Sequence, residues 1–128
     1  MDPNSRTKLP NSKSIPLDTL AKQPLVAPPR ATPNRDAFEQ IFAGHGLDIE
    51  IVAESAHPES ILELVWAGAG ASLASFDTAA ALRSRGVLTR RLLPPLLQPV
   101  YLVHRAGQLS PAANALLDLA RTGKPRTD

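Results

Sequence analysis

The sequence predicts an α/β fold, a mostly parallel sheet with helices on both faces, and three observations carry that expectation. Short apolar runs of strand character alternate with stretches of helical periodicity. The helical stretches open where a chain leaving a loop ought to start a helix, at Thr32-Pro33, His57-Pro58 and Ser110-Pro111. The run Ser60 to Leu73, SILELVWAGAGASL, is a helix stopped at Gly68 and restarted after Gly70 as a strand apolar on both sides, as expected for an interior parallel strand. Helices and strands alternating through short loops argue for parallel strands covered by helices.

The elements follow in order. Met1 to Ser14 is polar and aperiodic, so it cannot bury enough surface to offset its ordering entropy and reads as a disordered tail. IPLDTLAKQPLVAPP then gives a helical turn around Leu17 and Leu20 and a strand at Leu25 to Ala27, ended by Pro28 and Pro29. Thr32 can cap a helix whose first residue is Pro33, and Phe38, Ile41 and Phe42 form its buried stripe up to Gly44 and Gly46. DIEIVAE alternates with period two and reads as a strand near a sheet edge. His57-Pro58-Glu59 opens the next helix, with Ile61, Leu62 and Val65 on one face before Gly68. Ala69 to Ala74 is then the interior strand. A helix from about Asp77 to Arg85 ends at Gly86, and VLTRRLL and Val100 to His104 read as strands separated by the stiff Pro94, Pro95 and Pro99. Ser110-Pro111 starts a last helix to Arg121.

Size and composition bound the class. At 128 residues and 43% hydrophobic content the chain fits one small domain, since a domain of that size buries roughly two-thirds of its unfolded surface. Only five residues are aromatic, so the core is expected to be Leu, Val, Ile and Ala. The absence of cysteine excludes a disulfide scaffold, a thiolate metal site and a cysteine nucleophile together. No segment approaches the roughly 20 apolar residues that span a bilayer, and the first residues lack a signal-peptide core. A soluble, cytoplasmic protein with no membrane partner is expected.

Charge is distributed in blocks. Residues 1–35 carry six basic and two acidic side chains, residues 36–82 eight acids and no Lys or Arg, and residues 83–128 eight basic and two acidic. Arg6, Lys8 and Lys13 are sparse and lack interleaved aromatics, so a solvated tail is favoured over a nucleic-acid contact. No Gly-x-Ser-x-Gly elbow, phosphate-cradling loop or HExxH helix occurs, and His45, His57 and His104 lack metal-ligand spacing. AGAGAS imitates a phosphate loop in composition only. Such a loop follows a strand and opens a helix, whereas Gly68 closes a helix and leads into a strand. Neither an enzyme, a metal site nor a cofactor is expected.

Asn34-Arg35 before a helix containing Phe38, then Gly46, LELVWAGAGASL, Gly86-Val87, VYLVHR and LSPAANALLDLA resemble, in order and spacing, the C-terminal part of the effector-binding domain of LysR-type transcriptional regulators. The resemblance covers about Ile15 to Arg121 and implies a periplasmic-binding-protein-like (type II) lobe. Residues 15–121 would be the second lobe with the return strand and C-terminal helix, flanked by tails at 1–14 and 122–128. Nothing in Met1 to Ser14 can form the family's winged helix-turn-helix or its first lobe, so direct DNA binding by this chain is not expected. In the family the last helix packs on the first lobe. Leu116, Leu117 and Leu119 would then need the helix to fold back or a second chain to cover it, since wet leucines forfeit roughly 1.5–3 kcal/mol each against a total of about 5–15.

In open parallel sheets, ligands bind outside the carboxyl ends of the strands, where loops lead into helix N-termini. Ala27 to Asn34, Glu54 to His57 and Ser75 to Asp77 are such loops, each offering backbone N–H groups and a positive dipole end to a small anion. The resemblance places an effector between two lobes, with this edge as the second lobe's contribution, and aligns the family's effector-touching segment with the turn at Ser55 to His57. Thr32, Asn34, Glu54, Ser55, His57 and Ser75 are therefore the candidate effector-binding residues. Thr32, Asn34, Ser55 and His57 carry a plainer alternative, that they merely cap the helices they precede. Glu54 would disfavour an anion, which leaves a cationic or neutral metabolite open. For Trp66, packing against a neighbouring helix is favoured over ligand stacking. Arg83, Arg85, Arg90 and Arg91 read as a solvated helix end and strand face rather than an anion patch.

The expected function is that of an effector-sensing regulatory domain which binds a small metabolite to modulate transcription. Its expected partners are that effector and a second protein chain, either another copy or a full-length relative. The resemblance implies a dimer contact through Asn34 to Ala43 and Ile49 to Val52. The alternatives are a stand-alone small-molecule-binding or dimerisation module unrelated to transcription, and a nonfunctional truncated remnant.

Overall fold

A strand whose consecutive side chains are all covered must have protein on both faces, and β2 (Pro24–Ala27) is such a strand, with Leu25, Val26 and Ala27 fully buried. On one side it pairs in parallel with β3 (Glu50–Glu54), Pro24 opposite Glu50 and Ala27 opposite Glu54, with an irregularity between Leu25 and Val26. On the other side it meets Ala71. The Val26 N–H donates to the Ala71 carbonyl at 2.8 Å, the Ala71 N–H donates to the Pro24 carbonyl at 2.9 Å, and the Ser72 hydroxyl donates to the Val26 carbonyl at 2.8 Å. A second parallel pair joins β1 (Ser14–Pro16) to β4 (Arg91–Leu93), with Ile15 opposite Leu92. The computed structural model describes residues 9–97, 99 and 101–123. Residues 1–8 and 124–128 of the tails expected at 1–14 and 122–128, and Val100 of the expected strand, lie outside the described residues.

Helices cover these strands. α1 (Leu17–Ala21) is too short to persist alone, and it is held by burying Leu17, Leu20 and Ala21. α2 (Pro33–Ala43) links β2 to β3 and buries Phe38 and Phe42, whose ring centroids lie 5.5 Å apart in a tilted pair. The core is therefore Ile15, Leu17, Leu20, Leu25, Ala27, Phe38, Phe42 and Ala71 with their neighbours. It is aliphatic as expected, except that two of the chain's few aromatics fill its centre. α3 (Pro58–Trp66) follows β3, and α4 (Phe76–Ser84) follows the Ala71 segment.

These elements belong to the first of two compact units, Met1–Leu96 and Leu97–Asp128. In the second unit, α5 (Pro111–Thr122) starts where the Ser110 hydroxyl accepts from the Ala113 N–H, and its Leu116 and Leu119 are exposed.

Several expectations are corrected. The interior strand is β2; among the described residues, Ala69 to Ala74 contributes only the bridge between Ala71 and Leu25. The reason is geometric, since Ala71 and Ser72 address β2 while Ala74 already turns to solvent toward α4. Strand pairing in the expected run from Val87 is confined to Arg91–Leu93, because its partner β1 is three residues long. Among the described residues, Tyr101 to His104 has no strand pairing, and Tyr101 and Val103 are exposed. Within the stretch 1–14 expected as a tail, several residues meet the rest of the unit. Leu9 packs against the core, the Arg90 Nε donates to the Pro10 carbonyl at 3.3 Å, and Ser14 is already in β1. At the far end, α5 continues through Thr122.

Candidate functional site

β2 and β3 run parallel, so their carboxyl ends lie side by side and the loops leaving them form one edge. The first loop runs Pro28 to Thr32 and enters α2; the second runs Ser55 to His57 and enters α3. The Ser55 N–H donates to the Ala27 carbonyl at 3.1 Å, carrying the pairing one step past the strands. Ala31 holds φ at 60°, a left-handed conformation that a residue with a Cβ adopts only when its surroundings require it.

The requirement comes from both sides of Ala31. The Thr32 hydroxyl donates to the Pro29 carbonyl at 2.7 Å and accepts from the Arg35 N–H at 3.2 Å, so it caps α2 and tightens the loop at once. The Arg35 guanidinium, in the first turn of α2, is the charged group that ties the edge together. Its Nη1 donates to the Pro28 carbonyl at 2.9 Å and to Glu54 Oε1 at 2.8 Å, and its Nε donates to Glu39 at 2.6 Å. Among the described residues it alone is a buried polar side chain, 4% exposed. A buried cation is tolerable only when paired and hydrogen-bonded, and Arg35 is both.

Glu54 ends β3 and receives Arg35 directly, with Arg30 Nε a further 3.6 Å away. The hydrogen bond from Arg35 is the main reason its carboxyl lies below the ordinary glutamate value of 4.5. Partial burial opposes that shift, and Arg30 adds to it through its backbone and its charge. Glu54 is therefore held as a carboxylate, paired with an Arg35 that also serves Glu39.

The other predicted residues divide by what occupies them. Asn34 is exposed on the first turn of α2. The Ser55 hydroxyl accepts from the His57 N–H at 3.3 Å, which shapes the turn before α3. His57 holds the N-cap position of α3, but its side chain makes no capping bond, so its exposed ring is not spent on the helix. Ser75 caps α4, accepting from the Thr78 N–H at 3.3 Å and donating to the Thr78 hydroxyl at 2.9 Å. Ser75 and Thr78 also line a hollow of about 180 Å³ with Pro58, Ile61, Leu62, Leu73 and Ala74. Pockets that enclose a ligand usually measure about 300–1,000 Å³. This hollow is smaller than that, an apolar floor edged by two hydroxyls.

Away from the edge, Trp66 is exposed and carries the Arg85 guanidinium over its ring at 5.4 Å, while Arg85 also reaches Glu63 at 3.2 Å. Arg83 donates to the Thr89 hydroxyl at 3.0 Å, and Arg90 to backbone carbonyls at Pro10 and Thr89. These arginines serve separate local contacts rather than one anion patch. Among the described residues no helix is long and apolar enough to cross a membrane.

Arg35 is the residue that reasoning from sequence missed. Arg35 and Glu39 stand four apart on one helix face, yet nothing in the sequence shows that Glu54, 19 positions on, completes the network.

Comparison with known proteins agrees with this architecture. The family model described as the LysR substrate binding domain matches residues 5–124. The chain is also similar to an uncharacterized HTH-type transcriptional regulator, YfeR, of Shigella flexneri, with 29% identity over 108 residues. That alignment takes in 84% of this chain and 35% of the relative, so the chain spans about a third of the relative's length. With a match over nearly its whole length, the chain belongs to the LysR substrate binding domain family.

Proposed function

We propose that this chain is the effector-sensing part of a LysR-type regulator and that the β2–β3 edge is its share of the ligand site. The observation carrying the proposal is the family match over residues 5–124 on a chain whose parallel strands end in adjacent loops. On this reading the lobe has the periplasmic-binding-protein-like type II architecture that the family implies. Thr32, Asn34, Glu54, Ser55, His57 and Ser75 surround the ligand, with His57 and Asn34 the side chains freest to touch it. The hollow beside Ser75 is too small to enclose a metabolite alone, which fits a cleft closed by an opposing surface. In the whole regulator, occupancy of that cleft would change promoter binding in the cytoplasm, and self-association would run through α2 and β3.

A thermal-shift screen of aromatic acids, amino acids and sugars tests the reading. A ligand at 100 times its Kd stabilises by about 2.7 kcal/mol, a shift of several degrees for a domain of this size. The expected result is a rise in Tm with one compound class that H57A diminishes. If the folded chain responds to no class, ligand sensing by this chain fails.

A further inference from the structure

We propose that Arg35 is a positioning residue that locks the Pro28–Thr32 loop and the Glu54–His57 turn into one preformed edge. The inference rests on the reading of that edge as the ligand site and adds a role for a residue that touches no ligand. The three acceptors of the guanidinium come from three parts of the chain: the Pro28 carbonyl in the loop after β2, Glu39 in α2, and Glu54 at the end of β3. A planar fork fixes the directions of its N–H groups, so satisfying all three fixes the relative position of their carriers. A lysine ammonium, being a point charge, cannot impose that geometry.

Buried ion pairs are weak contributors to net stability, and their better-attested use is to specify one arrangement over another. The placement agrees with such a role. Ser55 follows Glu54 directly, and the strained Ala31 lies inside the short loop that the Thr32 hydroxyl closes onto Pro29, next to the Pro28 carbonyl that Arg35 holds. Glu54 is also about one-third exposed, so it can rehydrate if Arg35 is lost. The consequence of losing Arg35 is then local loosening at the edge rather than collapse of the unit.

Residue-resolved amide hydrogen exchange on the whole chain tests this without any ligand. In R35M, exchange at Ser55 and His57 is expected to speed by about tenfold or more, while Ala79 and Gly86 around α4 keep their wild-type rates. R35K is expected to restore less than half of the lost protection. Should R35M not fold, E54A removes the acceptor of the β3 arm and leaves the Pro28 and Glu39 arms in place, and it is expected to quicken Ser55 while leaving the amides of α2 unchanged. Unchanged protection at the edge, protection lost evenly through the unit, or full rescue by R35K would each overturn the proposal. A silent ligand screen with the expected exchange pattern would fault the ligand reading and leave the positioning role standing.

Discussion

Gly70 shows how one missing methyl decides a contact. A Cβ at this position would lie 2.5 Å from the Pro24 carbonyl oxygen, and that oxygen cannot retreat because it accepts the Ala71 N–H at 2.9 Å. G70A is therefore expected to cost about 1–3 kcal/mol, read as a lower urea midpoint with an unchanged m-value. The sequence marks Gly68 and Gly70 together as the joint between helix and strand. It cannot say that Gly68, with φ at 81°, supplies the turn while Gly70 supplies the close approach, because the second role depends on where Pro24 lies. Glu54 makes the corresponding prediction for pH. Its carboxyl is held low in the folded state, so its stabilisation is complete above the ordinary value of 4.5 and is lost as pH falls through the depressed folded value. Urea unfolding between about pH 3 and pH 6 should show an acid-side loss of stability that is smaller in E54Q.

Among the elements, the helix starts were the most legible part of the chain because their chemistry is local. Thr32 and Ser110, both expected as starts, each accept from the N–H three residues on, and Ser75 does the same for α4, whose start was expected only near Asp77. T32A should cost about 1 kcal/mol by losing the cap, and somewhat more where the bond to Pro29 also holds the loop. H57A should change stability by less than about 0.5 kcal/mol, since that side chain caps nothing. Thermal unfolding of the two variants separates capping from a free side chain at the same edge. Strands were less legible because a strand exists only with a partner. β1 straddles the boundary between the expected tail, which ends at Ser14, and the helical turn expected from Ile15, since three residues give no periodicity, and its short length also trims β4. Tyr101 to His104 has the apolar texture of a strand and, among the described residues, no pairing, because composition records the wish for a partner and not its presence.

For the molecule as a whole, family membership and the α/β character were readable in the order of motifs, whereas the electrostatic wiring of the candidate site was not. The motif Asn34-Arg35 pointed to the family, yet the work of Arg35 emerges only when β2 and β3 lie side by side and bring Glu54 to it. The central claim is that ligand contacts concentrate at the carboxyl ends of these strands and at the adjoining hollow. Amide-resolved NMR titration of the full chain, using the compounds that raise its Tm, tests it most directly. The account predicts shift changes clustered at residues 28–34, 54–57 and 75–78, with α5 unmoved. Perturbations centred on α5 or on the Trp66–Arg85 cluster, with those three loops silent, would contradict it.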